Sequence, residues 1–432
     1  MRVKVLLLFA LLILMPGLSA CSSDNEEYFN NEEYLDNFEV VWQIMNELYY
    51  DPTFGGLDWN EVRDRYRPMI AAAVNDDEFY MIINEMLFEL NVSHLFVIPP
   101  GAEGEIDTMA TAEASAGIEV RLLDDDAVIT YVDHRSSAEQ AGLLPGYIIQ
   151  SINGVSIDEI IKDLPFLLPP YNERTLRSQQ IATIQSHFYG QLDTLVQITY
   201  LDGQNEVNEV LIPLRKRNGS ATDLSNINLP TFYVEVESRL IEDNMGYISF
   251  NAFIPPADSK FREAIEELGN VSGLIIDIRG NSGGIWPIRK TIAEMLVSER
   301  TLSWVYHGRE NIREVYLEPA HYVYEGPVVV LVDVMSFSSA EEFAGAMKSI
   351  DRAVIVGERT SGKVLVLDIT QLPNGATFMY PVEESRTAEG TVLEGRGVIP
   401  DMEVELDRET LLTGIDSQLE MAIEYLMQHI VN

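Results

Sequence analysis

Ser338, Lys363 and the glycines of 280–284 have the residue types and flanking sequence to perform nucleophilic chemistry at one place. Residues 328–363 read as a buried strand within GPVVVLVDV, a helix in SFSSAEEFAGAMKSI, a second buried strand in AVIVG, and a tight loop ending in ERTSGK. In a strand–helix–strand crossover the two strands are parallel and finish at the same sheet edge. Ser338 therefore leaves that edge and Lys363 returns to it. A third apolar run, LIIDIR at 274–279, breaks into Gly280-Asn281-Ser282-Gly283-Gly284. If it lies parallel in the same sheet, a glycine-rich loop joins the serine and the lysine at the carboxyl edge, where such sheets usually carry their chemistry. At the helix start the N–H of Ser339 is unpaired and sits at the positive end of the dipole, which suits a developing oxyanion. Glycine lets a further amide approach closely. The hydroxyl still needs a base. Two plainer readings stand beside this one. Ser338 is also what an ordinary helix N-cap looks like, and residues 280–284 fit the G-x-S-x-G elbow of an esterase with Ser282 as nucleophile. The esterase needs an acid and a histidine downstream, and His307, His321 and His429 stand in no recognisable context.

The elements that position these residues belong to a chain of 432 residues, long enough for two or three domains. The hydrophobic fraction of 46% marks it as globular, and the net charge of −40 argues against nucleic acid or anionic lipid headgroups as partners. Residues 1–21 read as an export signal. Arg2 and Lys4 precede an apolar stretch at 5–14 that is too short to span a membrane, and Leu18-Ser19-Ala20-Cys21 follows. Cys21 is the single cysteine. Its setting resembles the lipidated residue of a bacterial lipoprotein, which implies an exported protein anchored by lipid to a bacterial membrane on the extracytoplasmic side. Residues 22–33 read as an acidic spacer. With one cysteine, no close pairs among the six histidines and no phosphate-loop signature, no metal and no cofactor are expected.

Helical periodicity covers much of 34–105. Phe38, Val41, Trp42, Met45, Leu48 and Tyr49 recur at helical spacing, and further helices are predicted at 58–74 and 76–90, each opened by an aspartate able to cap. Between 112 and 216 the pattern turns to short alternating runs. There, Ala141-Gly142-Leu143, Pro145-Gly146 and Ile152-Asn153-Gly154 resemble the helix, turn and hairpin of a PDZ domain, although Ser137 and Tyr147 depart from its usual proline and aspartate. The resemblance implies a groove that adds a peptide as a strand and holds its terminal carboxylate near Ala116, Gly117 and Ile118. From 228 to 432 strands and helices alternate, with a closing amphipathic helix predicted at 411–430.

Taken together, LIIDIRGNSGG, SFSSAEEFAGAM, GERTSGK and LEGRGVIPD, in that order behind a PDZ-like segment, resemble the successive motifs of the carboxyl-terminal processing (tail-specific) serine peptidases, with features of the tricorn core. The likeness covers nearly the whole mature chain. It implies an α/β fold, with a Clp-protease/crotonase-like sheet-and-helix peptidase core, an N-terminal helical domain and an inserted PDZ domain. It implies hydrolysis of protein or peptide substrates, with Ser338 as nucleophile and oxyanion donors at Ser339 and at Gly283 or Gly284. Two versions of the base are present. In one it is Lys363, whose usual glutamine partner four residues on is replaced by Leu367. In the other it is His94, preceded by Ser93 and assisted by Glu394. An unperturbed lysine costs about 4.6 kcal/mol to deprotonate at pH 7, whereas a histidine needs almost no tuning. The histidine version is therefore preferred, and Lys363 is kept as the alternative. The same fold can also lose catalysis and serve as a binding domain, as retinoid-binding relatives do. Oligomeric state is not readable from the sequence.

Overall fold

The computed structural model describes residues 31–102, 108–162, 172–227 and 229–429. The export signal, Cys21, most of the acidic spacer and the predicted end of the helical domain at 105 lie outside them. No helix among the described residues is long and apolar enough to cross a membrane.

The central sheet runs in the order Val236–Ile241, Met245–Phe250, Leu274–Asp277, Val328–Val332, Val354–Gly357, Met402–Glu403. All neighbours are parallel except the first pair. Leu274–Asp277 and Val328–Val332 are buried at every position because helices cover both faces. Ala257–Leu268, Trp286–Glu294 and Ser339–Ser349 pack on one face, and Ser417–His429 on the other through Ala422, Ile423 and Leu426. The sheet edge expected from the sequence is therefore present. The closing helix differs from the expected 411–430. It is split into Arg408–Leu412 and Ser417–His429, and Gly414 turns the chain between them at φ 82°.

A second, antiparallel sheet was not foreseen in the apparent alternation of strands and helices after residue 228. It joins Phe96–Ile98, Thr377–Thr387, Thr301–Gly308 and Ile312–Leu317, with Val366–Gln371 beside Thr377–Thr387. Its consequence is that the N-terminal helices share a core with this sheet. Phe38, Val41, Met45 and Ile83 share one core with Phe378 and Tyr380 of that sheet, and Phe96 is in register with Met379. His94 is thereby carried to the core. The helices themselves, Asn31–Leu48, Trp59–Ala72 and Asp76–Phe88, follow the predicted periodicity. Asp58 caps the second as expected, but Asn75 caps the third. Asp76 instead accepts the hydroxyl of Tyr34 at 2.6 Å.

The inserted module has a five-stranded path, Ile118–Leu123, Asp126–Val132, Ile148–Ile152, Leu195–Leu201, Val207–Pro213. Asn153 and Gly154, at φ 51° and 79°, make the predicted hairpin into Val155–Ser156. A helix the alternating pattern concealed, Glu173–Ser186, packs across Ile118–Leu123. The module is tied to the core by a buried ion pair, Arg121 Nε to Asp333 Oδ2 at 2.7 Å.

Candidate active site

The rim of the central sheet is built by two turns that lock together. After Val332 the chain makes a buried turn in which Asp333 Oδ1 accepts the amides of Met335 and Gly280, both at 3.0 Å. Ser336 Oγ donates to the carbonyl of Ile278 at 2.7 Å. Asn281, fully buried, accepts the amide of Phe337 on its main-chain oxygen at 3.1 Å and donates its side chain to the carbonyl of Phe250 at 2.8 Å. Asp333 and Asn281 thus fix the glycine loop against the turn that presents the serine. Both were missed in the sequence, where only the strand-to-loop break hinted that polar residues must pair there.

Ser338 is half-buried, and its backbone sits at φ 56° and ψ −122° with the amide donating to the carbonyl of Lys363 at 2.8 Å. Its side chain makes no capping hydrogen bond, so the ordinary N-cap reading does not describe it. A left-handed conformation at a non-glycine residue is strained and needs surrounding structure to hold it. Here the Lys363 carbonyl and the glycine loop do so. A Cβ on Gly283 would stand 2.7 Å from Ser338 Cβ, and one on Gly284 would stand 2.3 Å from the carbonyl oxygen of Phe253. Only glycine fits at either position.

The expected oxyanion donors are resolved by their partners. The amide of Gly283 is already spent on Asn281 Oδ1 at 2.9 Å. The amides of Ser339 and Gly284 donate to no acceptor among the described residues. Ser339 Oγ donates to the carbonyl of Gly284 at 2.8 Å, which holds these two donors together. Of the glycine pair, Gly284 is the one with a free donor.

Three residues from opposite ends of the chain meet beside this rim. Glu394 accepts the Ser93 amide on Oε1 at 2.7 Å, and its Oε2 accepts the Ser93 hydroxyl at 2.9 Å and the Val364 amide at 2.8 Å. Ser93 Oγ is 2.7 Å from His94 Nδ1. Because the single Ser93 proton goes to Glu394, Nδ1 must be the donor in that contact, which leaves Nε2 as an unprotonated acceptor. Burial, and then the nearby Lys363 ammonium, push His94 down to about 4. Burial also raises Glu394, against the hydrogen bonds it accepts. His94 itself is at φ 58°.

Lys363 is pushed down to about 8 by burial, while Glu341 and Glu394 act in the opposite direction. The sequence offered no polar partner for its amine, Leu367 standing where a glutamine is usual. The structure supplies one from the inserted module, Ser178 Oγ at 3.1 Å, and sets Nζ 5.2 Å from the centre of the Phe337 ring. Neither His94 nor Lys363 hydrogen-bonds Ser338 Oγ. Glu341, fully buried and also missed, accepts the amides of Gly362 at 2.7 Å and Lys363 at 2.8 Å, together with the Thr360 hydroxyl. Burial raises it to about 7. It holds the lysine loop to the helix that begins at Ser339.

Ser282 lines a cavity between module and core with Arg121, Asp277 and Arg279, and no histidine lines that cavity. The esterase reading therefore lacks its base. No group of three or more His, Cys, Asp or Glu side chains among the described residues is placed to hold a metal ion. Chemically, the rim brings together a hydroxyl, two unpaired amides and two basic nitrogens, which is the equipment for acyl transfer.

Comparison with known proteins agrees with that chemistry. The model of peptidase family S41 matches residues 244–404, and the tricorn protease C1 domain model matches residues 30–88. The carboxyl-terminal-processing protease of Synechocystis is 26% identical over 395 residues, covering 89% of this chain and 85% of that protein. Tricorn protease homolog 1 of Streptomyces coelicolor is 24% identical, covering 90% of this chain but 35% of that protein. Among solved structures, the photosystem II D1 C-terminal processing protease superposes with a TM-score of 0.57 at 22% identity, covering 89% of this chain and 98% of the other. At that identity the superposition establishes a shared mixed α/β fold.

Proposed function

We propose that this chain, a serine-type peptidase with a peptidase domain at 244–404, cleaves protein or peptide substrates by acyl transfer through Ser338. In this reading His94 Nε2 takes the Ser338 proton as Oγ attacks the scissile carbonyl. The oxyanion is held by the amides of Ser339 and Gly284. The protonated imidazole then donates to the leaving amine, and water repeats the sequence to release the acyl group. Ser93 and Glu394 keep the tautomer and orientation of the ring. The observation that carries this reading is the connected chain from His94 Nδ1 through Ser93 Oγ to Glu394.

A second reading, with Lys363 as base, is favoured by one observation. Its amine is brought down to about 8, close enough to neutrality for a free base to be populated. Labelling with a serine-reactive fluorophosphonate, followed by mapping of the modified residue, tests the nucleophile. The expected label is on Ser338, absent from Ser338→Ala. A label on Ser282 revives the esterase, and no label leaves a binding protein.

The finer features belong to the same proposal. Lipid on Cys21 would tether the enzyme to a bacterial membrane on the extracytoplasmic side, and release of Cys21→Ala into the soluble fraction is the check. The PDZ-like module is assigned to gating rather than to capture of a substrate end. Support comes from its helix Glu173–Ser186, which holds the site loops directly. Arg174 donates to the carbonyls of Thr360 at 3.1 Å, Gly395 at 3.0 Å and Arg396 at 3.1 Å, and Ser178 holds Lys363.

A further inference from the structure

Strand addition needs a free strand edge. In the module, Asp133 N–H donates to the carbonyl of Gly117 at 2.8 Å on the side of the neighbouring strand Asp126–Val132. Alternation then turns the main-chain groups of Ile118, Val120 and Leu122 to the opposite edge, the one a peptide would join. The module's own side chains already pair four groups of that edge. Gln185, 3% exposed, accepts the Val120 amide on Oε1 at 2.8 Å and donates Nε2 to the carbonyl of Ile118 at 2.6 Å. One side-chain amide thus makes the pair of bonds that a peptide unit of a ligand would make. Arg177 takes the carbonyl of Leu122 at 2.6 Å, and Arg121 Nη1 takes that of Val120 at 3.0 Å. At the end expected to hold a terminal carboxylate, the Ala116 amide donates to the carbonyl of Phe188 at 2.8 Å. The Phe188 side chain is fully buried in the same core as Ala116, Ile118 and Val120.

We propose that Gln185 is an internal ligand of the module's peptide edge and a specificity-determining residue, so that this chain does not select substrates by a free carboxyl end docked there. Every bond an incoming strand gains at the Ile118 carbonyl or the Val120 amide is one that buried Gln185 loses, so addition there brings no net pairing. Selection then falls to the rim around Ser338. The inference rests on the PDZ-like reading of the module and stands apart from the assignment of the base.

The test uses the full chain carrying Ser338→Ala, so that nothing is turned over. Two dye-labelled peptides of one sequence, one with a free carboxylate and one amidated, are titrated by fluorescence anisotropy. The expected result is no more than about a twofold difference between them, and in Gln185→Ala a gain of at least about fivefold for the free acid alone. A tenfold preference for the free acid with Gln185 intact overturns the proposal. So does the absence of any gain in Gln185→Ala. If that variant melts before it can be titrated, Gln185→Met keeps the buried volume, removes both hydrogen-bonding groups and is read in the same way. Hydrogen exchange at Val120 supplies a check without any variant at position 185. Slow exchange in the absence of peptide is expected, and fast exchange sinks the idea. Failure of the peptidase reading shows separately, as a Ser338 that fluorophosphonate does not label.

Discussion

The rim at Ser338 and the outer edge of Ile118–Leu123 are both strand-associated rows of main-chain groups, and the protein treats them in opposite ways. At the rim, turns anchored by Asp333 and Asn281 leave the amides of Ser339 and Gly284 pointing at no acceptor. At the module edge, Gln185, Arg177 and Arg121 pair the Val120 amide and the carbonyls of Ile118, Val120 and Leu122. An unpaired amide in a sheltered place costs free energy unless something negative arrives. A row of paired ones offers a visitor nothing. Whether a strand edge can take a peptide is therefore decided by the hydrogen bonds of that individual edge.

The contrast can be broken most directly at the rim. Ser338→Ala is expected to lower kcat by at least about 10⁴-fold with the fold intact, measured as peptide hydrolysis beside a thermal melt. His94→Ala should cost about 10²- to 10⁴-fold in kcat, and full activity in that variant would transfer the base to Lys363. Gly283→Ala places a methyl 2.7 Å from Ser338 Cβ and should lower kcat by about 10²-fold, because displacing the oxyanion geometry removes transition-state stabilisation while KM stays close to that of the parent. Arg174→Ala removes three bonds from the module helix to the site loops and should reduce kcat about tenfold. No change there would reduce the module to a spacer.

The smallest effect is a displacement of a pH profile. A base must be unprotonated, so kcat/KM rises with pH through the pKa of the base. With His94 the rise is centred near 4 and is complete by neutrality, and with Lys363 it is centred near 8. Lys363→Met removes a cation that depresses His94, so under the histidine reading the acid limb moves to higher pH. Under the lysine reading the same variant loses activity outright.

Much of this arrangement was legible in the residues. The apolar runs at 274–279, 328–332 and 354–357 could only be strands buried on both faces, and a crossover between parallel strands fixes which edge the following loops share. The glycines at 283 and 284 announced a close backbone approach, which the neighbours of their absent Cβ atoms explain. The identity of the free donor was not legible, because Gly283 and Gly284 differ only in whether Asn281 reaches the amide. The antiparallel sheet was also hidden. Its strand Phe96–Ile98 lies in the N-terminal part of the chain and its partner Thr377–Thr387 near the other end, and pairing such as Phe96 with Met379 leaves no periodic trace.

By itself the sequence determined the parallel sheet, its reactive edge and the candidate groups, since local periodicity and the stereochemistry of glycine act over a few residues. Tertiary structure alone decided which groups are coupled. Ser93 meets Glu394 across most of the chain, Ser178 takes the amine that Leu367 cannot, and Gln185 closes the edge beside it. A hydrogen bond depends on distance in space to a fraction of an ångström, and separation along the chain carries no such information.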